Sequence, residues 1–206
     1  MSLRINTIAS LITKNAKVID IGTDHAYLPI YLYQNNITHD ITATDISKNV
    51  LEYSKKNLEK HNLLNKISLK ESDGFKNITD TFDVAVIAGM GTSTIKHILD
   101  TKKLPDTLII ETHNDYYELR CFLNKIGYKI AKEIVVKDNN KYYPIIKYIK
   151  GLDNLSKEEL LFGKSNNKEY FLYLKEKYND VYQKSKQDKY LEYVNILDGI
   201  IEKIPD

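Results

Sequence analysis

Residues 82–91, FDVAVIAGMG, form an almost unbroken apolar run closed by a glycine turn. Such a run cannot leave one face in water. It needs cover on both faces, which the central parallel strand of an α/β sheet has. Four more strand-like runs flank it in sequence: 17–21, DITATD at 40–45, ISLKES from Ile67, and DTLIIETH at 106–113. Between them, apolar residues recur at helical spacing over 3–12, 27–35, 93–100 and 115–126, and Ser47 is placed to cap a helix containing Val50, Leu51, Ser54 and Leu58. In the first helix Arg4 and Lys14 are expected to point away from the core. Gly127 suits the residue just past the last helix. Strand and helix alternating in this way predict an α/β fold with a parallel sheet. The end of this part differs. Two strand-like runs flank Asp138-Asn139-Asn140, a turn-forming trio, and predict a terminal antiparallel hairpin.

After Gly151 the pattern changes again. Apolar residues Phe171, Leu174, Tyr178 and Val181, then Leu191, Val194, Leu197 and Ile201, stand at helical spacing among lysines and acids. We read two antiparallel helices with a break near residues 184–188; one long helix is the alternative. The expected domains are therefore 1–151 and a helical, coiled-coil-like appendage, 152–206. The appendage can serve packing or dimerisation.

Charge excludes little. The net value is +2, so any nucleic-acid surface must come from local clustering. No apolar run is long enough for a membrane helix, and the first residues lack a signal-peptide core. With one cysteine, Cys121, a reducing cytoplasmic setting is expected. The histidines show no metal-ligand spacing, and no metal is expected. A monomer or weak homodimer is expected.

The chemistry gathers at strand ends. In VIDIGTDHAYLPIYL, residues 18–32, a short strand ends at Asp20, Gly22 turns the chain and a helix starts near Tyr27, with Pro29 in its first turn. A strand, a glycine turn and a helix amino terminus make the place where an open α/β sheet binds a nucleotide-like ligand. Asp24 and His25 crowd a turn that needs only small residues. Asp45, followed by Ile46, ends the second strand, where an acid can accept ribose hydroxyls; the bland alternative is a neighbour of the Ser47 cap. Asp73-Gly74 follows the third strand, either against an adenine ring or as a plain surface turn. Gly89, Met90 and Gly91 close the fourth. The phosphate loop GxxxxGK[ST] is absent, so ATP hydrolysis is not expected.

DIGTDHAYLPIYL resembles the first motif of the bacterial tRNA adenine-22 N1-methyltransferases, with Asp24, His25 and Leu28-Pro29 its specific part. AGMGT at 88–92 resembles that family's Ala-Gly-Met-Gly-Gly, with Thr92 in place of the last glycine. Glu111-Thr112-His113 stands where the family has Gln-Pro-Asn, while Leu119-Arg120 and Lys141-Tyr142-Tyr143 match. The family's helical appendage extends the likeness over nearly the whole chain. The resemblance implies a Rossmann-like methyltransferase sheet, S-adenosylmethionine (SAM) as cofactor and tRNA as partner. It implies a cofactor site of Asp20, Gly22, Asp45, Ile46, Asp73, Gly74, Gly89 and Met90. Asp24, His25 and Tyr27 become the catalytic candidates, and Gly91, His113, Arg120 and Tyr142 the substrate contacts. Two other readings stay open: a SAM enzyme acting on another RNA or a small molecule, and a catalytically silent RNA-binding protein of the same fold.

Overall fold

The computed structural model describes residues 2–101 and 103–205. The chain divides into two compact units, Met1–Asn154 and Leu155–Asp206. In the first unit the elements are α1 (Leu3–Ser10), β1 (Val18–Ile21), α2 (Tyr27–Gln34), β2 (Ile41–Asp45), α3 (Lys48–Lys60), β3 (Ser68–Glu71), β4 (Val84–Met90), α4 (Thr92–Ile98), β5 (Thr107–Thr112), α5 (Tyr116–Lys125), β6 (Tyr128–Asp138) and β7 (Lys141–Lys150).

One seven-stranded sheet runs in the order β3-β2-β1-β4-β5-β7-β6. The first five strands are parallel, and β7 returns antiparallel between β5 and β6. The expected parallel sheet with a terminal hairpin is therefore the observed one. Strand alternation divides the core in two, since successive side chains point to opposite faces. Val18, Val84, Val86, Ile109 and Ile145 meet Ile8, Leu28, Leu32 and Leu58 from α1, α2 and α3. Ile19, Ile21, Ala85, Ile87, Leu108, Ile110 and Ile146 meet Ile95, Ile98, Leu119 and Leu123 from α4 and α5. The near-continuous apolar run of β4 is thus covered on both faces, at about 1.5–3 kcal/mol for each large side chain buried.

The ends of the helices follow local rules. The Ser47 hydroxyl accepts from Val50 N at 3.4 Å, and Gly127, with φ +85°, follows the last turn of α5. One expectation is corrected. Arg4 does not point away from the core: it turns inward to Glu111, 107 residues later.

The second unit holds α6 (Lys157–Phe162), α7 (Lys168–Ser185) and α8 (Asp188–Lys203). The chain breaks between α7 and α8 at Lys186, which is left-handed with φ +53°. Phe162, Phe171, Leu174, Val194 and Leu197 are buried, and Phe162, Tyr178, Tyr190 and Tyr193 pack ring to ring. Leu191, expected in this stripe, is 39% exposed. Lys175 is tied to Asp198 across the two helices. The short helix α6 was not anticipated. Its signal was the capping box of Ser156 and Glu159, whose side chain and backbone groups satisfy each other reciprocally.

Candidate active site

The carboxyl ends of the parallel strands open on one edge of the sheet. Strand order reverses between β1 and β4, and ligands of open α/β sheets bind at that point. Here β1 ends and Gly22 turns the chain with φ +75°. Gly22 N and Thr23 N both donate to Thr44 O, at 2.8 and 2.9 Å, which pins the turn to β2. A Cβ on Gly22 would lie 2.1 Å from the Met90 methyl carbon. Glycine is therefore required here for both its backbone angle and its lack of side chain.

Asp20 is buried beneath this turn, and the Thr23 hydroxyl donates to its Oδ2 at 2.7 Å. Burial pushes the carboxyl up to about 6; the Thr23 hydrogen bond pulls against this and Asp45 adds to it. No lysine, arginine or histidine pairs with Asp20 among the described residues. Two carboxylates at adjacent strand ends without a cation suit a ligand that brings a positive group and hydroxyls.

Asp20 also sets a pH dependence. Its folded pKa lies above the ordinary value, so between about pH 4 and 6 the folded state holds more protons. The stability contribution of Asp20 falls as pH rises through that window, and the penalty is complete above about 6. Asp20→Asn is therefore expected to stabilise the free protein at pH 7 by roughly 2–3 kcal/mol. The gain should vanish below about pH 4, and affinity for a cationic ligand should drop. Denaturant unfolding at several pH values checks it.

Asp45 ends β2, and its Oδ1 accepts from Ser47 N at 2.9 Å. Ile46 beside it is 66% exposed, an apolar surface at the lip of the edge. The Asp73 Oδ2 meets Lys76 and, at 3.4 Å, His97 Nε2. The Lys76 ammonium, then the His97 ring, hold this carboxyl below its usual range. Gly74 has φ +59°, and a Cβ there would come within 3.2 Å of the Ile98 Cα. The positive φ and the packing of α4 together account for this glycine.

The Asp24 turn is strained and anchored. Asp24 and Ala26 are both left-handed, with φ +52° and +57°. The Ser54 hydroxyl donates to Asp24 O, and Asn57 Nδ2 donates to His25 O at 2.7 Å, so α3 holds the turn. The Asp24 and His25 side chains are 72% and 43% exposed, with His25 Nε2 3.6 Å from Asp24 Oδ1. The Tyr27 ring centroid lies 5.4 Å from that of His25. A carboxylate with two aromatic rings is thereby presented outward beside the buried Asp20.

The loop after β4 is fixed by β5. Gly89, φ +79°, forms a bulge between Ala88 and Met90. Its N–H donates to Glu111 Oε2 at 3.0 Å, and Arg4 Nη2 donates to the same oxygen at 2.6 Å. Glu111 is 1% exposed, and the Arg4 guanidinium also lies 4.3 Å over the Tyr143 ring. Thr92, buried at the start of α4, bonds Thr112 Oγ1 at 3.1 Å and Asn114 O at 2.7 Å. Three of the departures from the Ala-Gly-Met-Gly-Gly and Gln-Pro-Asn patterns thus meet across the strands, Glu111 Oε2 with Arg4 and Thr112 with Thr92, while Glu111 Oε1 and Arg4 Nε are buried without a hydrogen-bond partner among the described residues. Arg4→Ala should cost about 3 kcal/mol by leaving a buried carboxylate without its cation. Adding Glu111→Gln should recover most of that loss, which a double-mutant cycle of unfolding free energies measures.

Of the substrate contacts, Gly91 precedes α4 and His113 is exposed beside Gly89. Tyr142 lies near the tip of the hairpin with Lys137 Nζ 5.2 Å from its ring centroid, and the antiparallel register carries that tip past the end of β5. Arg120 is corrected. It is 1% exposed, and its Nη2 donates to the buried Glu133 at 2.8 Å. A guanidinium so enclosed holds α5 to β6 and does not reach a surface phosphate. Ser54, Asn57 and the inward turn of Arg4 leave no local signal in the sequence, because their partners are 30 or more residues away, whereas Thr23 stands only three residues from its partner Asp20.

Among the described residues no helix is long and apolar enough to cross a membrane, and no group of His, Cys, Asp or Glu is arranged to hold a metal ion. A family model describing a methyltransferase domain matches residues 1–146. The M. capricolum TrmK, solved in complex with the cofactor product S-adenosyl-homocysteine, is similar over 100% of this chain and 99% of its own, with 32% identity and a TM-score of 0.87. The B. subtilis M1A22 tRNA methyltransferase TrmK is similar at a TM-score of 0.84 and 25% identity, over 98% of each chain. The curated tRNA (adenine(22)-N(1))-methyltransferase of Bacillus subtilis is 32% identical over 151 residues, 71% of this chain and 63% of that protein. The chain belongs to the tRNA (adenine-22 N1)-methyltransferase family of SAM-dependent enzymes.

Proposed function

We propose that this protein methylates N1 of adenine 22 in tRNA, using SAM. The observation that carries this reading is the pair of environments four residues apart: the buried, cation-seeking Asp20 and the outward Asp24 with its aromatic neighbours. The relatives, a TrmK solved with S-adenosyl-homocysteine and a tRNA (adenine(22)-N(1))-methyltransferase, supply the substrate class.

When bound, SAM supplies an electrophilic methyl group on a positively charged sulfur. Asp20 and the Gly22 turn would face its amino-acid end, Asp45 its ribose hydroxyls, and Ile46, Asp73 and Gly74 its adenine. Gly89 and Met90 would border the methyl group, with Gly91, His113 and Tyr142 on the acceptor side. N1 of a neutral adenine carries its own lone pair, so no base need remove a proton before the transfer. The methylated base is cationic. The Asp24 carboxylate favours that charge and accepts from the N6 amine, while His25 and Tyr27 hold the ring. An adenine in a stacked or paired region must leave its stack to reach them. A cytoplasmic setting fits a tRNA substrate.

Asp45→Ala is expected to weaken S-adenosyl-homocysteine binding by about 1–3 kcal/mol, the scale of hydrogen bonds to a charged group. Calorimetry reads this directly, and unchanged affinity would remove Asp45 from the site. The function itself is tested with methyl-labelled SAM and bulk tRNA, followed by digestion to nucleosides. Label in N1-methyladenosine is expected. Label in another nucleoside, or none in tRNA, contradicts the proposal.

A further inference from the structure

The Asp24 turn does not end with Tyr27. The Tyr53 ring, from α3, lies 5.9 Å from the His25 centroid and extends the aromatic group to three rings. Tyr53 is 57% exposed and Tyr27 51%, among the most exposed large rings of the chain. The Tyr53 hydroxyl has no hydrogen-bond partner among the described residues. Ser54 and Asn57, on the same helix, are the residues that anchor the turn. The three rings therefore stand on one rigid support.

On α3, Asn49, Tyr53 and Lys60 share one flank, and the helix's two acids, Glu52 and Glu59, stand four residues before and three after Lys56. The Lys56 Nζ leans over the Tyr53 ring at 5.9 Å. Neither Lys56 nor Lys60 has an acidic partner among the described residues. Exposed aromatic faces joined to unpaired cations match the chemistry of an unstacked nucleic-acid strand, in which bases stack on rings and phosphates meet ammonium groups.

We propose that Tyr53, beside the His25 and Tyr27 rings that hold the target adenine, is a stacking platform for the adjoining nucleobase, and that Lys56 and Lys60 hold the neighbouring phosphates. The inference rests on the tRNA methylation reading. It adds a substrate-binding surface on α3 that holds the strand open beside the turn. A base flipped out of a helix leaves neighbours that have lost a stacking partner, and the Tyr53 ring offers one in its place.

The test is steady-state methylation with tRNA varied, for the full-length protein and its Tyr53→Ala, Tyr53→Leu and Tyr53→Phe variants. Tyr53→Ala and Tyr53→Leu should raise KM for tRNA about tenfold or more, with affinity for S-adenosyl-homocysteine unchanged. Tyr53→Phe, which keeps the ring, should stay close to wild type. Lys56→Gln and Lys60→Gln should each reduce the salt dependence of tRNA binding by close to one phosphate contact. A native KM in Tyr53→Ala, from a wild-type enzyme that methylates tRNA, overturns the platform and leaves the methylation reading intact. Tyr53→Leu performing like wild type also overturns it, because the patch would then be an apolar contact such as a protein partner makes. A wild-type enzyme that methylates no tRNA overturns both.

Discussion

Asp24→Ala is expected to lower kcat for tRNA methylation by about a hundredfold, the scale of losing one group aimed at developing charge. Cofactor affinity should be retained. Asp24 makes this separation possible because its side chain does not hold the turn; its contact there is His25 Nε2 at 3.6 Å. The carboxylate is exposed, and the turn is held through its backbone: the Ser54 hydroxyl donates to Asp24 O, and Asn57 donates to His25 O. The left-handed angle at Asp24 is one aspartate tolerates better than alanine, so part of any stability loss would be backbone strain. Asp24→Asn is the control. It keeps the turn's preference and the acceptor oxygen but removes the charge, and it should fall between wild type and alanine. An interaction made only as charge develops appears in kcat rather than KM. Single-turnover rates at saturating tRNA separate these cases, and a near-native rate in Asp24→Ala would remove the residue from the chemistry.

Ending the chain at Asn154 should leave a folded protein that binds S-adenosyl-homocysteine, with tRNA turnover reduced more than any single surface substitution achieves. The first unit contains the complete sheet and both apolar cores, and the second closes its own core around Phe162, Phe171, Leu174 and Leu197. A tRNA is much larger than one sheet edge, so placing one adenine calls for contacts elsewhere. The second unit cannot act as a uniformly basic arm: residues 151–206 hold more acids than lysines, and Lys175 is committed to Asp198. Any phosphate contacts would fall to other lysines, such as Lys184 in the last turn of its longest helix and Lys186 just past it. Affinity of the full-length protein should weaken as salt rises, because phosphate contacts release counterions. The check is tRNA affinity and turnover of both proteins at two salt concentrations. A folded truncation that works at the full-length rate assigns the second unit another role.

The sheet was legible because each strand announces itself within a few residues. The apolar run of β4, the acids at the ends of β1 and β2 and the Asp138-Asn139-Asn140 turn are local signals, and the elements stand where those signals put them. Pairings were not local. The spacing of α1 shows which side of its own helix Arg4 lies on, but not that Glu111 waits beneath it. Likewise Leu119-Arg120 matched a family pattern, while the partner that buries Arg120, Glu133, sits on the next strand. Thr92 and Thr112 each read as a departure in isolation; in space they bond to each other. At the candidate site, Asp20, Gly22 and Asp45 were legible from position at strand ends. Tyr53 was not, since one exposed tyrosine among sixteen carries no signal until its ring is seen beside His25.

The central claim is that the target is N1 of adenine 22. Its most direct measurement is methyl transfer from labelled SAM to two matched tRNA transcripts, one with adenine at position 22 and one with guanine there. The account predicts one methyl group per molecule on the first, recovered as N1-methyladenosine, and none on the second. Equal labelling of the two transcripts would contradict it.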